Sequence, residues 1–139
     1  MAEPGSSSER ISRHDVAGRR VGEVMIRAPR TVPANATVAQ VREQFANPRV
    51  RLVLLVDGER FAGVVAPADL PAAAAASDPV RGHARRDVDT VGPQTDIADA
   101  LSVMDGAGHR RLVVLDPSGT DLVGLLCLDE TGTSFCVGR

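Results

Sequence analysis

Two stretches of the chain repeat one pattern: GVVAPADL begins at Gly63 and GLLCLDET begins at Gly124, an offset of 124 − 63 = 61 residues. Each contains a glycine, two aliphatic residues, a small residue and then a carboxylate. A matching pair precedes each stretch, since Thr31-Val32 returns as Thr90-Val91 at an offset of 90 − 31 = 59. A period of this length predicts two copies of one supersecondary unit that build the core together.

Each copy contains one predicted helix. In the first copy Thr37 and Gln40 form a capping box, and Asp96 with Asp99 stands at the equivalent place in the second. Apolar residues at three- and four-residue spacing follow each box and predict one buried face per helix. These apolar positions are Val38, Val41 and Phe45 in the first copy, and Ile97, Ala100, Leu101 and Met104 in the second.

Proline and glycine mark where the predicted helices end. Asn47-Pro48 ends the first helix, and Gly106 with Gly108 ends the second. After the first copy, residues 68–77 are alanine-rich and favour a closing helix, although Pro71 must lie near its start or disrupt it. After the second copy, Gly132 lies so near the last residue that the same helix has no room. The second copy is therefore expected to lack its closing helix.

Two predicted strands follow each helix. The apolar runs VLLV at 53–56 and LVVL at 112–115 have the length and composition of buried strands. Asp57-Gly58 and residues 116–119 are turn sequences that lead into the glycine-containing runs FAGVVA and LVGLLC. Each copy thus reads as a short strand, a helix and a hairpin.

Composition narrows the function classes. The formal charge is −2, and only 2% of the residues are aromatic, so neither charge nor stacking surfaces favour a nucleic-acid partner. The longest apolar runs are too short to span a bilayer, and no secretory signal is evident, so we expect a cytoplasmic protein without membrane segments. Cys127 and Cys136 predict no disulfide framework. His14, His83 and His109 have no zinc-site spacing.

This tandem arrangement, with each copy read as β-α-β-β-α and closed by a glycine, two hydrophobic residues and a later acid, resembles the CBS (cystathionine-beta-synthase) domain pair, also called a Bateman module. The stretches VGEVMIRAPRTV and ARRDVDTV are similar to the lead-in segments of that family. The resemblance covers residues 21 to 131. It implies an α/β (α+β) fold of two CBS repeats packed about a pseudo-two-fold axis.

The resemblance also implies a division of the chain. We expect a mobile N-terminal arm at residues 1–20, followed by CBS repeat 1 at residues 21–77. A linker at residues 78–82 then leads to CBS repeat 2 at residues 83–131 and a C-terminal tail at residues 132–139. The arm is polar and rich in serine and arginine, which is typical of disordered termini.

In the CBS family the cleft between repeats often binds adenosine-containing ligands such as AMP, ADP, ATP or S-adenosylmethionine. The aspartate of the closing motif accepts ribose hydroxyls, a hydroxyl residue meets phosphate, and adenine lies against the short first strand. The resemblance assigns the ribose carboxylates to Asp69 and Glu130, the phosphate positions to Ala66 and Cys127, the strand contacts to Thr31, Val32, Thr90 and Val91, and compensating cations to Arg51, Arg85, Arg86, Arg110 and Arg111.

Several of these positions depart from the family pattern. Alanine at 66 has no hydroxyl to donate, the thiol of Cys127 is a weak donor, and Glu130 is longer than aspartate by one methylene. The Asp69 site therefore ranks above the Glu130 site. Asp69 is equally consistent with an exposed acid at the start of a helix, and the arginines with ordinary surface charge. Cys127 has the pattern of a small core residue.

Two functions remain open at this level. The first is a stand-alone regulatory module that binds an adenosine nucleotide and signals to a partner protein. The second is a ligand-free scaffold used for dimerisation or docking. For both functions the resemblance implies a homodimer, because members of the family commonly pair their helical faces. Neither function is enzymatic, since the sequence has no P-loop, GxGxxG or HExxH motif and no nucleophile placed with a base. An enzyme fragment or a redox sensor built on Cys127 is a third interpretation.

Overall fold

The computed structural model describes residues 10–27, 29–129 and 132–136. In chain order the elements are strand β1 (Arg10–Ser12), helix α1 (Val21–Val24), strand β2 (Thr31–Pro33), helix α2 (Val38–Phe45), strands β3 (Val53–Asp57), β4 (Arg60–Val65) and β5 (Thr90–Val91), helix α3 (Ile97–Ala107), and strands β6 (Arg111–Leu115), β7 (Leu122–Cys127) and β8 (Ser134–Cys136). They form two compact units. The continuous unit is Arg30–Val88, and the discontinuous unit combines the described residues of Met1–Pro29 and Asp89–Arg139.

The continuous unit is built on a mixed three-stranded sheet of order β2-β3-β4. Strand β2 runs parallel to β3, and β3 runs antiparallel to β4. The parallel pair requires a crossover, which α2 supplies, and the antiparallel pair needs only the Gly58-Glu59 turn. Aliphatic side chains from all these elements form the core: Val32, Val41, Val53, Leu55, Val65 and Val80 are buried.

The discontinuous unit repeats this arrangement with a sheet of order β5-β6-β7 and adds a second sheet, in which β1 pairs antiparallel with β8. Phe135 on β8 and Val16, just after β1, are completely buried in its core. The sequence predicted a mobile arm up to residue 20, with little to bury. From Arg10 onward the structure instead places the chain within the folded unit, because β1 has a strand partner and Val16 is in the core.

Both hairpins carry the same irregularity, which supports the duplication. The register between β3 and β4 shifts at Leu55/Val56, and that between β6 and β7 shifts at Val114/Leu115. Those positions are related by the offset 114 − 55 = 59. A bulge of this kind bends the strand and increases its twist. A bulge at equivalent positions of the two hairpins confirms the predicted repeat.

The predicted closing helix of the first copy is wrong. Among residues 68–77 the structure has only a 3-10 helix at Pro67–Asp69, followed by turns. Pro71 lacks an N–H and its ring clashes with the preceding turn, so no helix can run through it. The remaining alanine run is too short to be stable as an isolated helix. In the second copy the last described residues, 134–136, form β8.

The residues after Pro71 have another structural use. Backbone carbonyls of Ala76 and Asp78 accept hydrogen bonds from the N–H groups of Ala39 and Val38, at 3.0 and 2.9 Å. These N–H groups lie in the first turn of α2, where no partner within the helix exists. The Arg42 guanidinium also donates to the carbonyl of Ala74 at 3.1 Å. The alanine-rich segment thus caps α2 rather than forming a helix of its own.

The two predicted capping boxes have different outcomes. In α2 the Thr37 hydroxyl accepts from the Gln40 N–H at 3.3 Å, and the Gln40 side chain accepts from the Thr37 N–H at 2.9 Å, as predicted. In α3 the N-cap is Asp96, but its side chain makes no capping bond. The Asp96 carboxylate instead lies 3.5 Å from the guanidinium of Arg20. The salt bridge replaces the predicted second box.

Candidate functional site around Asp69

The glycine that recurs in each copy makes room for another backbone segment. A Cβ atom at Gly63 would lie 3.0 Å from the Cβ of Ala84 and 3.2 Å from the carbonyl oxygen of Arg85. Val64 and Arg85 exchange two backbone hydrogen bonds of 2.9 Å, so residues 84–86 extend the sheet beyond β4. Gly63 also has φ +139°, a conformation that favours glycine.

The second copy has the equivalent contact. A Cβ atom at Gly124 would meet the sulfur of Met25 and, at 2.9 Å, the carbonyl oxygen of Ile26. Ile26 and Leu125 exchange backbone hydrogen bonds of 2.8 and 3.0 Å. Arg85 and Ile26 are related by 85 − 26 = 59, the repeat offset. The lead-in segment of each sequence copy therefore pairs with the last strand of the other copy. Because of this exchange, the compact units differ from the predicted repeats 21–77 and 83–131.

This exchange brings Asp69 and Arg85 together in the continuous unit. Asp69 ends the 3-10 helix that follows β4, and its Oδ2 atom accepts from the Ala66 N–H at 2.8 Å. The same oxygen accepts from Nε of Arg85 at 3.1 Å. The Asp69 side chain is 20% exposed and that of Arg85 is 52% exposed. The described residues provide Oδ1 of Asp69 with no hydrogen bond.

The two bonds fix the carboxylate while leaving one oxygen available. The charge-assisted bonds to Oδ2 hold its orientation, because rotation about the side chain would break both. Oδ1 can then accept a hydroxyl or amine donor from a bound molecule. Arg86, one residue further along, is exposed, so a second cation is adjacent in sequence. The local chemistry suits a ligand that carries hydroxyl donors close to negative charge.

The remaining predicted residues of the continuous unit are placed as follows. Ala66 is part of the Asp69 arrangement through its N–H alone. Thr31 is exposed and Val32 is buried, both on β2. Strand β3 separates β2 from β4 in this sheet, and Asp69 follows β4, so the sheet does not bring Thr31 and Val32 beside the carboxylate. Arg51 is exposed ahead of β3.

Sequence reasoning missed which arginine contacts Asp69. It named Arg85 and Arg86 together among five candidate cations, and the structure pairs the acid with Arg85. The available signal was the repeat itself, since Arg85 corresponds to Ile26 and each precedes its short strand by the same spacing. The equal spacing shows that the two positions are equivalent in the repeat. It does not show that each lead-in segment pairs with the other copy. Only the pairing of residue 85 with Val64 shows it.

In the discontinuous unit, Cys127 ends β7 at the position equivalent to Ala66. Its side chain is buried, and Sγ lies 3.2 Å from Sγ of Cys136 and 3.5 Å from the carbonyl oxygen of Leu128. Burial, followed by the neighbouring Cys136 thiol, raises the pKa of Cys127 to about 12. Thr90 and Val91 form β5, exposed and half-buried respectively. Glu130 lies outside the described residues.

The cations predicted near the second site are also placed. Arg111 begins β6 directly opposite Cys127, and Arg110 precedes it at an exposed position. A separate open cavity of about 430 Å³ lies in the same unit. It was not predicted, and its lining is mostly polar: Arg20, Gly22, Glu23, Met25, Arg27, Pro93 and Gln94.

Two other predictions concern absences. Among the described residues, no three histidine, cysteine, aspartate or glutamate side chains cluster in a way that could hold a metal ion. Across the same parts of the chain, every helix is too short or too polar to cross a bilayer.

Comparison with known proteins gives consistent results. The model of the CBS domain matches residues 21–75 and 80–130. A protein of Methanocaldococcus jannaschii, MJ1232, is 30% identical over 108 residues, which cover 77% of this chain but only 36% of that protein. The chain therefore spans about a third of that relative.

Solved structures share the fold. The CBS domain protein PAE2072 from Pyrobaculum aerophilum, complexed with AMP, is 26% identical with a TM-score of 0.65, over 81% of this chain and 94% of that one. CBSX2 in complex with AMP is 24% identical with a TM-score of 0.69, over 79% and 90%. Both halves of the sequence match one family model, the mixed sheets recur in both units, and the chain belongs to the CBS domain family as a tandem pair, or Bateman module.

Proposed function

We propose that this chain is a regulatory module that binds an adenosine-containing ligand through Asp69 and transmits binding to a partner protein. The observation that carries the proposal is the fixed Asp69 carboxylate, with Oδ2 held by the Ala66 N–H and Arg85 and Oδ1 without a hydrogen bond among the described residues. A relative of the same fold, PAE2072, is described in complex with AMP. That relative supports the ligand class.

The chemistry of each group suggests its role. Ribose has adjacent hydroxyl donors, and the free oxygen of Asp69 is an acceptor, so the carboxylate would bind the sugar. Arg85 and Arg86 would face the phosphate, since a guanidinium binds phosphate oxygens through paired donors. Ala66 cannot supply a hydroxyl. Loss of one bond to a charged group costs about 1.5–3 kcal/mol, so we expect weak to moderate affinity.

The second site, at Glu130 and Cys127, is proposed to be the poorer of the two. The Cys127 thiol is buried against Cys136 and the Leu128 carbonyl, so it is not oriented toward a ligand. The roles of Thr31, Val32, Thr90 and Val91 against adenine, and of Arg110 as a phosphate cation, stay predictions from family resemblance. The same holds for the expected homodimer and the cytoplasmic location.

A ligand-free dimerisation or docking scaffold is the second candidate. Two observations favour it: Ala66 contributes no side-chain donor, and Arg85 already neutralises the acid that a ribose would contact. In this case the fold itself provides the surface for a partner. The two candidates differ in one measurable property, which is adenosine ligand binding at the Asp69 carboxylate.

Isothermal titration of the full chain with AMP, ADP, ATP and S-adenosylmethionine tests the choice. We expect at least one to bind, and Asp69→Asn to raise its Kd by about tenfold or more because the amide donates where the ribose needs an acceptor. Asp57→Asn is the matched control, since Asp57 also pairs with an arginine of this unit, Arg81 at 3.9 Å. Its Kd should equal that of the wild type.

The outcomes separate the candidates. Binding that Asp69→Asn weakens and Asp57→Asn leaves unchanged supports the nucleotide module. Absence of binding by all four ligands, with a folded protein confirmed by circular dichroism, would leave the scaffold as the better function. Equal binding by both variants would place the ligand elsewhere in the molecule and reject the Asp69 site.

A further inference from the structure

The thiols of Cys127 and Cys136 lie side by side at the end of the second copy. Their sulfur atoms are 3.2 Å apart, and both cysteines are free. Leu128 and Phe135 form an antiparallel bridge, so the residues just outside that pair, 127 and 136, are directly opposite each other. Opposed residues of antiparallel strands have Cα atoms about 4.5–5.5 Å apart, within the range that disulfides span.

We propose that Cys127 and Cys136 form a reversible disulfide that fastens β8 to the end of β7 when a low-molecular-weight disulfide oxidises the protein. The inference does not depend on nucleotide binding. Closing the bond needs the sulfur atoms to approach from 3.2 Å to about 2.05 Å, and the backbone is already in register. Oxidation of two thiols in this position gives an intramolecular disulfide.

The two cysteines have different parts in the reaction. Cys136 is half-buried and Cys127 is only 7% exposed, so the Cys136 thiolate is the group that reaches an external disulfide. It attacks one sulfur, and one small thiol leaves with a proton. The Cys127 thiolate then attacks the Cys136 sulfur, and the second small thiol leaves with the other proton. Two protein thiols are oxidised, and one small disulfide is reduced to two thiols.

Two features of the surroundings of Cys127 act on its thiol in opposite directions. The pKa of its thiol is raised to about 12 mainly because burial disfavours the thiolate. Arg111 stands opposite Cys127 on β6, and its charge acts in the other direction and favours the thiolate. The buried thiol is therefore protected from external reagents, yet it faces the sulfur that forms the mixed disulfide. This arrangement favours the internal bond over stable adducts.

The bond would restrain a defined part of the molecule. Strand β8 pairs with β1, and Phe135 of β8 is completely buried. A link between residues 127 and 136 closes the loop that contains Gly132 and Thr133 and ties β8 to the main sheet. We expect local opening of the β1-β8 sheet to become rarer in the oxidised protein, with an unchanged fold elsewhere.

The test treats the full chain with excess oxidised glutathione and compares wild type with Cys136→Ser and Cys127→Ser. We expect the wild type to lose both free thiols and two hydrogens in intact mass, with no glutathione retained and no intermolecular dimer. Cys127→Ser should retain one glutathione. Cys136→Ser should react at least tenfold more slowly, because the remaining thiol, that of Cys127, is buried. Amide hydrogen exchange of β8 should slow on oxidation and recover with reductant.

Several results would overturn the proposal. These are retention of both thiols by wild type under conditions in which Cys127→Ser reacts, accumulation of a glutathione adduct on wild type, and formation of a disulfide-linked dimer. Unchanged exchange in β8 after formation of the internal disulfide would reject its restraining role. A thermal melt of each serine variant, compared with wild type, verifies that the reactivity differences come from folded protein.

Discussion

At the scale of single residues, the glycines that define the repeat are explained by close approach of backbone. Gly63 and Gly124 do not end helices or form turns in this protein. They lie next to the bulge of each hairpin, where residues 84–86 or 25–27 pass beside the strand. The sequence pattern identified these glycines as equivalent. It did not identify the segments that require them, because those segments come from the other copy.

Replacement of Gly124 by alanine tests this explanation. The added methyl group would lie against the Met25 sulfur and 2.9 Å from the Ile26 carbonyl oxygen, so the paired backbone must shift. We expect Gly124→Ala to lower the free energy of unfolding by about 1–3 kcal/mol, as overpacking does. Urea denaturation monitored by circular dichroism measures the change.

Gly106→Ala is the matched control for this experiment. Gly106 lies within α3, and nothing is within 4 Å of a Cβ atom added there. Alanine in a helix interior is favoured over glycine by about 0.5–1 kcal/mol, so this variant should be more stable than wild type. Destabilisation of similar size by both substitutions would contradict the role assigned to Gly124.

The turn between β6 and β7 depends on one carboxylate, that of Asp116. Hydrogen bonds lower its pKa from the usual value of 3.8, first from the Asp121 N–H and next from the Ser118 hydroxyl, and they outweigh the opposing effect of burial. A carboxyl whose folded pKa is depressed stabilises the protein above the unfolded pKa, and that contribution is lost as pH falls toward the folded pKa. Asp116 therefore stabilises at neutral pH.

Comparison of wild type with Asp116→Asn across pH checks the sign. The wild type should have the higher Tm at about pH 7, and the difference should shrink as the pH falls below the usual value of 3.8, because the unfolded chain then binds a proton before the folded chain does. Ser118→Ala removes one donor at 2.9 Å and keeps the charge, so it should reduce the difference only in part. A Tm difference that grows on acidification would disprove this account of the turn.

At the scale of elements, most of the correct predictions rest on short-range sequence patterns. The helices α2 and α3, the hairpins and the short strands follow from periodicity, caps and turn residues that lie within a few positions of each other. The closing helix was wrong because Pro71, which was expected to lie near the start of that helix or to disrupt it, is followed only by turns and bends. The real use of that segment, capping α2 through Ala76 and Asp78, requires contacts over some forty residues, which propensity does not report.

Because the N-caps of α2 and α3 differ, the stabilities of two alanine variants can be compared directly. Thr37→Ala removes an observed cap at 3.3 Å and should cost about 1 kcal/mol of stability. Asp96→Ala removes a side chain that makes no capping bond and pairs with Arg20 across 3.5 Å of exposed surface, so it should cost about 0.5 kcal/mol or less. Chemical denaturation of both variants measures the difference. Equal costs would show that the Asp96 cap forms in solution.

At the scale of the whole molecule, the sequence predicted the family but not which residues fold together. A sequence repeat places the domain boundary between its two copies, near residues 78–82. The compact units are instead Arg30–Val88 and a combination of the two ends of the chain. Both the Asp69–Arg85 pair and the Ile26–Leu125 pairing result from this exchange. No local pattern distinguishes a lead-in that pairs with its own copy from one that pairs with the other.

Fragments of equal length can decide between the two divisions. Residues 30–88 include Val80, which is completely buried and whose N–H donates to the Ala36 carbonyl at 2.9 Å, and Arg85, which pairs with Val64. Residues 21–79 lack both and instead carry α1, whose Val21 and Val24 pack in the core of the discontinuous unit. We expect fragment 30–88 to unfold cooperatively in urea, and fragment 21–79 to have exposed apolar surface and no cooperative transition.

The size of these fragments makes the comparison sensitive. A domain of about 60 residues is only marginally stable, so loss of one buried valine and one strand pairing is sufficient to unfold it. Dispersed amide resonances in fragment 30–88 alone would support the exchanged units. Cooperative unfolding of fragment 21–79, or a disordered fragment 30–88, would show that the lead-in at residues 84–86 does not complete the continuous unit. The Asp69–Arg85 site would then lose its structural basis, because Arg85 reaches Asp69 only through that pairing.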